Sequence, residues 1–190
     1  DGNVNPYILT KILSFEKNNP KILDVGCWKW QLWKEVLSTR SDCVFSGIEK
    51  YASTSDAQAV GYKEVYPIDL HAPDTIRQIQ EQYDIIVCWD VLEHTLEPER
   101  VLSELTMLLV PDGIILVSLP NICFIQNRLT HLLWSWDYAP DWVGGIMDNT
   151  HYRFFSLHAM RRLCMQSGWD SGRHAVGRHG FPIWGLARIR

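Results

Sequence analysis

One stretch constrains the fold more than any other: Lys21-Ile22-Leu23-Asp24-Val25-Gly26-Cys27. Ile22, Leu23 and Val25 make a short apolar run between Pro20 and Gly26, the pattern of a central strand in a parallel sheet covered on both faces. Gly26 admits a backbone geometry, or a close ligand approach, that a side chain would block. Residues 29–37 read as a helix. Strand, glycine turn and helix together form the corner at which open α/β sheets bind their ligands.

The rest of the chain repeats that rhythm. A helix is expected from Pro6 to Phe15, stopped by Asn18-Asn19-Pro20. Strands follow at Cys43 to Ile48 and Val65 to Ile68, with a short helix between them over 53–60 that Gly61 ends. Asp74 to Gln82 reads as a polar amphipathic helix. Asp84 to Trp89 is nearly all apolar, Glu97 to Leu109 has helical periodicity, and Pro111-Asp112-Gly113 turns the chain into a strand from Ile114 to Leu119. After an aromatic-rich stretch from Pro120 to His151, a helix resumes at Ser156, an N-cap candidate, and closes at Gly168. Ile183 to Ile189 is the expected last strand. The alternation argues for a Rossmann-like, doubly wound α/β sheet in one domain over residues 1–190, mostly parallel with an antiparallel last strand and helices on both faces. Right-handed crossovers then set Asp24, Glu49, Asp69 and Asp90 along one rim.

Composition narrows the function classes. A formal charge of -4 without a basic cluster gives no electrostatic case for a nucleic-acid partner. The five cysteines are odd in number and unpatterned, which suits reduced thiols in a cytoplasmic protein. No apolar run is long enough to span a bilayer, and no signal-peptide layout is visible. The histidines do not combine with the cysteines into a metal-ligand spacing, so no metal is expected.

Leu23-Asp24-Val25-Gly26-Cys27, Ile48-Glu49, Ile68-Asp69-Leu70 and the run Tyr83 to His94 with its Asp90-Val91-Leu92-Glu93-His94 segment are ordered motifs. Together they resemble the class I S-adenosylmethionine-dependent methyltransferases, within them the small bacterial proteins similar to ubiquinone-biosynthesis methyltransferases. The resemblance covers roughly Lys21 to Gly168. It departs at the first motif, where the usual Gly-Cys-Gly-x-Gly is here Gly26-Cys27-Trp28-Lys29-Trp30.

The resemblance implies S-adenosylmethionine as cofactor and a small-molecule acceptor, with residues 120–151 as a substrate-facing insertion and a homodimer compatible with both. Asp24, Gly26 and Cys27 would support the methionine end, Glu49 the ribose hydroxyls, Asp69 and Leu70 the adenine, and Asp90 the sulfonium side. His151, in Thr150-His151-Tyr152-Arg153-Phe154-Phe155, and His94 are the candidate proton acceptors. Each acid in isolation is better explained as a strand-end or capping carboxylate, whereas the four in order along one rim reverse that balance and together favour a cofactor site. His94 with Glu93 would equally brace the turn, and Arg153 would tie the insertion to a carbonyl or to Asp148. Trp28 and Trp30 leave a rival open: a noncatalytic binding or scaffold module that kept the fold after losing its glycine loop. A nicotinamide-dependent oxidoreductase is the third reading, weakened by the missing dinucleotide glycines.

Overall fold

The computed structural model describes residues 5–27, 31–51, 61–123, 128–129, 132, 150–167, 169–171 and 183–189. In chain order these form α1 (Pro6–Leu13), β1 (Lys21–Val25), α2 (Gln31–Thr39), β2 (Val44–Ile48), β3 (Glu64–Tyr66), β4 (Tyr83–Trp89), α3 (Pro98–Thr106), β5 (Leu109–Leu119), α4 (Leu157–Gln166), β6 (Trp169–Ser171) and β7 (Ile183–Ile189). The strands share one sheet in the order β3-β2-β1-β4-β5-β7-β6. The first five of these run parallel, while β7 pairs antiparallel with both β5 and β6.

Period-two alternation in β1 sends neighbouring side chains to opposite faces, and each face has its own core. Leu23 and Val25 pack with Ile86 and Ile115 under Leu102 and Leu105 of α3 and Met160 and Leu163 of α4. Ile22 packs with Phe45, Ile85, Val87 and Leu116 under Ile8 and Ile12 of α1 and Leu32 and Val36 of α2. A strand covered on both sides is apolar on both faces, which is why Ile22, Leu23 and Val25 around the single acid Asp24 signal its place so clearly.

Helix ends follow local chemistry. Asn5 caps α1 by accepting the Tyr7 amide at 3.0 Å, with Pro6 pre-set for the first turn. Ser156 caps α4 through the Ala159 amide at 3.1 Å. Arg40, just past α2, donates to the carbonyls of Ile12, Phe15 and Lys17, so α2 holds the end of α1 in place.

Two expectations need correction. The polar helix expected from Asp74 to Gln82 is a single 3-10 turn, Ile76–Gln78, preceded by Asp74 at φ 59°. Its apolar anchors, Ile76 and Ile79, are three residues apart and both buried, a spacing one 3-10 turn satisfies without further helix. The helix expected to reach Leu109 ends at Thr106, and Leu109 already pairs with Tyr83. Pro111-Asp112-Gly113 is an irregularity within β5, where the register jumps from Tyr83↔Leu109 to Ile85↔Ile114 and Asp112 sits at φ 64°. The expected helix over 53–60, Gly168, Trp28, Trp30 and most of the 120–151 insertion lie outside the described residues.

Asp84, at the start of β4, fastens the entry to β1. Its buried carboxylate accepts the Lys17 ammonium at 2.6 Å and the Lys21 amide at 2.9 Å. Asp84→Ala removes both acceptors and leaves the Lys21 amide facing a void. Chemical denaturation should show a loss of about 2–3 kcal/mol; an unchanged midpoint would mean the tie is idle.

Candidate active site

The carboxyl ends of β1, β2 and β4 line one edge of the sheet, and their neighbouring loops bring the acids there. Asp24 is the fourth residue of β1, opposite Gly47 of β2 and Val87 of β4. It is buried, and its Oδ2 accepts the Tyr62 hydroxyl at 2.8 Å. Burial pushes its pKa up to about 7 against the pull of that hydrogen bond, with the Glu49 carboxylate adding to the rise.

Gly26 has φ +70°, a left-handed conformation that L side chains rarely adopt. A Cβ there would stand 2.6 Å from Val91 Cγ2, so a substitution would be both strained and crowded. Its amide donates to the Ile48 carbonyl at 2.8 Å, which ties the turn after β1 to the end of β2. Cys27 is buried, with its Sγ in the space a Cβ on Gly47 would need. Burial and the nearby Asp24 and Glu49 drive its thiol pKa up, so it stays neutral.

Glu49 directly follows β2 and its Oε1 accepts the Tyr51 amide at 3.3 Å. Asp69, three residues past β3, accepts the Lys50 ammonium at 2.8 Å and the His71 amide at 3.0 Å. These hydrogen bonds, Lys50 first, lower its pKa. Leu70 is partly buried against the core, and its carbonyl is held by Arg100 at 2.8 Å.

Asp90 sits at φ 49° directly after β4 and accepts the Ser118 hydroxyl at 2.5 Å. Burial raises its pKa, while the hydrogen bonds from Ser118 and Trp89 and the charges of His151 and His94 oppose the rise. The chain then makes a 3-10 turn, Leu92–His94, that sets Glu93 inward. Glu93 is 1% exposed, and neither of its carboxylate oxygens has a hydrogen-bond partner among the described residues. Burial first, then Asp90, lifts its pKa well above the usual carboxylate range.

His94 and His151 meet at this corner. Their rings are 4.7 Å apart between centroids, at 64°. His94 Nδ1 lies 3.0 Å from the Thr150 carbonyl, and the Glu93 carbonyl accepts the amides of Tyr152 at 2.8 Å and Arg153 at 3.0 Å. The Arg153 guanidinium donates to the Leu96 carbonyl at 2.5 Å. The 150–153 segment is therefore stitched to the turn after β4 by the His94 ring at Thr150 and by backbone bonds to Glu93 at Tyr152 and Arg153.

The fold thus gathers two groups: Asp24, Gly26, Cys27 and Glu49 at the ends of β1 and β2, and Asp90, Glu93, His94 and His151 beyond β4. Asp69 is engaged with Lys50. Sequence reasoning missed Tyr62, which no motif signals, and gave Glu93 only a bracing role. It also found no metal-ligand pattern, because the cluster seen among the described residues joins Glu93 and His94 to His151, far along the chain. Glu93, His94 and His151 can each offer a ligand atom, all within 4.8 Å of one another, the reach of one cation.

Comparison with known proteins identifies the fold and the family. Over 110 residues the chain is 26% identical to the ubiquinone biosynthesis O-methyltransferase of Haemophilus ducreyi, covering 53% of this chain and 45% of that protein. It is 23% identical over 181 residues to the protein of the same name from Neisseria meningitidis, covering 88% and 71%. The chain therefore spans about half the length of the first of these relatives. The fold matches an S-adenosylmethionine-dependent methyltransferase from Clostridium acetobutylicum with TM-score 0.68 at 11% identity, covering 96% and 89%. It also matches the plantazolicin methyltransferase BpumL, solved with S-adenosylhomocysteine, with TM-score 0.67 at 15% identity, covering 97% and 81%. Residues 4–171 match the family described as a methyltransferase domain, and the chain belongs to that family.

Proposed function

We propose that this chain binds S-adenosylmethionine across the carboxyl ends of the parallel strands and transfers its methyl group to an oxygen, nitrogen or carbon nucleophile of a small metabolite. The observation that carries this reading is the pairing of the left-handed Gly26 turn with carboxylates at the ends of β1 and β2. The donor set fits the group. Asp24 and Gly26, with Cys27 behind them, would hold the amino-acid end. Glu49 would take the ribose hydroxyls, and Leu70 and Asp69 the adenine. Asp69's bond to Lys50 joins two partly exposed side chains, so solvent competes for it and it opens readily.

When bound, the cofactor supplies a methyl group on a positively charged sulfur whose thioether leaves neutral. The protein's task is then alignment rather than acid catalysis of departure. An acceptor hydroxyl must still lose its proton as the new bond forms, and His151 and His94 are the groups to take it. The Thr150 carbonyl can only accept, so a neutral His94 carries its proton on Nδ1 and its basic nitrogen is Nε2.

One observation favours a second reading of the acceptor corner. A carboxylate as buried as Glu93, unpartnered among the described residues and beside two imidazoles, is costly unless a cation joins it. Glu93, His94 and His151 would hold a divalent cation of the zinc or manganese type, which would orient an acceptor oxygen and ease its deprotonation.

Calorimetry tests both ends. S-adenosylhomocysteine should bind the wild type, and Glu49→Ala should weaken it by more than about tenfold through loss of a charged acceptor; wild-type protein that gives no heat at millimolar ligand sinks the cofactor reading. Titration with Mn2+ or Zn2+ should give one site that Glu93→Gln and His151→Ala each weaken by about tenfold or more. If the metals do not bind, His151→Ala should still slow turnover while sparing cofactor affinity; unaltered turnover would return His151 to a structural role.

A further inference from the structure

Tyr62 lies outside every motif, yet it is buried and closely packed beside Asp24. It is 3% exposed and its ring leans on Phe45, at 5.8 Å between centroids, and on Trp33, at 6.5 Å. Gly47 makes room for it, since a Cβ there would lie 3.3 Å from Tyr62 Cε1. Gly61, at φ +100°, precedes it, and a Cβ there would strike Trp33 at 2.7 Å. Two glycines and two aromatic rings therefore set one hydroxyl, and that hydroxyl donates to Asp24 Oδ2.

The geometry points to Tyr62 as a positioning residue for cofactor recognition, its hydroxyl fixing Asp24 as the acceptor that receives the ammonium of the cofactor's amino-acid end. This rests on the cofactor reading above. Two opposed effects act on Asp24. Burial and the Glu49 carboxylate favour its neutral form, and the Tyr62 hydrogen bond favours the anion. The phenol itself is driven far up by burial and by Asp24, so it remains a donor across the working pH range. The other titratable groups within electrostatic reach are Cys27 in the turn and Cys88 in β4, and burial holds both thiols neutral. Glu49 is thus the one other charge that bears on Asp24 among the described residues, and it works against the anion.

The signs follow. An ammonium prefers the ionised acid, so affinity should rise with pH through about 7 and level off above it. Tyr62→Phe keeps the ring and removes the hydroxyl, which should move that midpoint upward by about one unit. At pH 7 affinity would then fall by about fivefold, and the gap would close at higher pH.

The test is calorimetry from pH 6 to 9 on wild type and Tyr62→Phe, with two probes: S-adenosylhomocysteine, which carries the ammonium, and 5′-methylthioadenosine, which lacks it. An upshifted profile for the first probe with no change for the second supports the assignment. Superimposed profiles overturn it while leaving the cofactor reading intact. Equal weakening of both probes at every pH also overturns it, because the ring would then act on the whole pocket. Wild type that binds neither probe overturns the cofactor reading and this inference with it.

Discussion

The structure depends on β1 being buried on both faces while carrying an acid, Asp24, one residue before its end. Ile22 and Leu23 anchor it in the two cores, and pairing to β2 and β4 satisfies its backbone on both sides. Such a strand has no freedom to shift, because a slip by one residue would exchange the contents of the two cores. Asp24 is therefore carried to a fixed point, and Gly26 reverses the chain against Val91 directly beyond it. The turn is bonded to the end of β2, so strand, turn and neighbouring strand form a rigid corner. Such rigidity suits the proposed methyl transfer, in which alignment of donor and acceptor would supply much of the rate.

The second half of the site is built by a different device. Beyond β4 there is no helix immediately, only Asp90 in a left-handed conformation and one 3-10 turn. This geometry sends Glu93 inward and leaves its backbone carbonyl to receive the 150–153 segment. His151 reaches the site because its own neighbours are hydrogen-bonded to Glu93, and Arg153 secures the same segment at Leu96. Two pieces of chain nearly sixty residues apart thus act as one unit. A change in either would move both histidines.

Much of this was legible in the residues. Apolar residues at Ile22, Leu23 and Val25 and the run Ile85 to Cys88 are what a sheet covered on both faces requires, and they placed the central strands. Strand-end acids at Asp24, Glu49 and Asp90 followed once the strands were ordered. Periodicity failed where length and tertiary pairing decided the matter: at Ile76 and Ile79, where two anchors need only one turn, and at Leu108 and Leu109, core residues beyond the helix where the chain enters β5. Tyr62 and Glu93 were illegible as site residues for another reason. Their significance lies in contacts, one to Asp24 and one to His94 and His151, and contacts across a sheet leave no local pattern in the chain.

The charges explain why such a corner would seek a cationic ligand. Asp24, Asp90 and Glu93 all have pKa values raised by burial, which means the folded chain holds their protons more tightly than the unfolded chain does. The stabilisation tied to Asp24 is fully present below the ordinary carboxylate range and is lost as pH rises through about 7. At neutral pH the protein therefore carries buried acids that oppose its own folding. Lys50 does not relieve them, since in this structure its ammonium faces Asp69 and not the buried acids. A ligand that brings an ammonium and a sulfonium to this edge would supply the missing countercharge, and a cation held between Glu93 and the histidines would do the same at the other end. Binding and stability are then linked through the same carboxylates, so ligand should stabilise the fold most at the pH where the empty site strains it most.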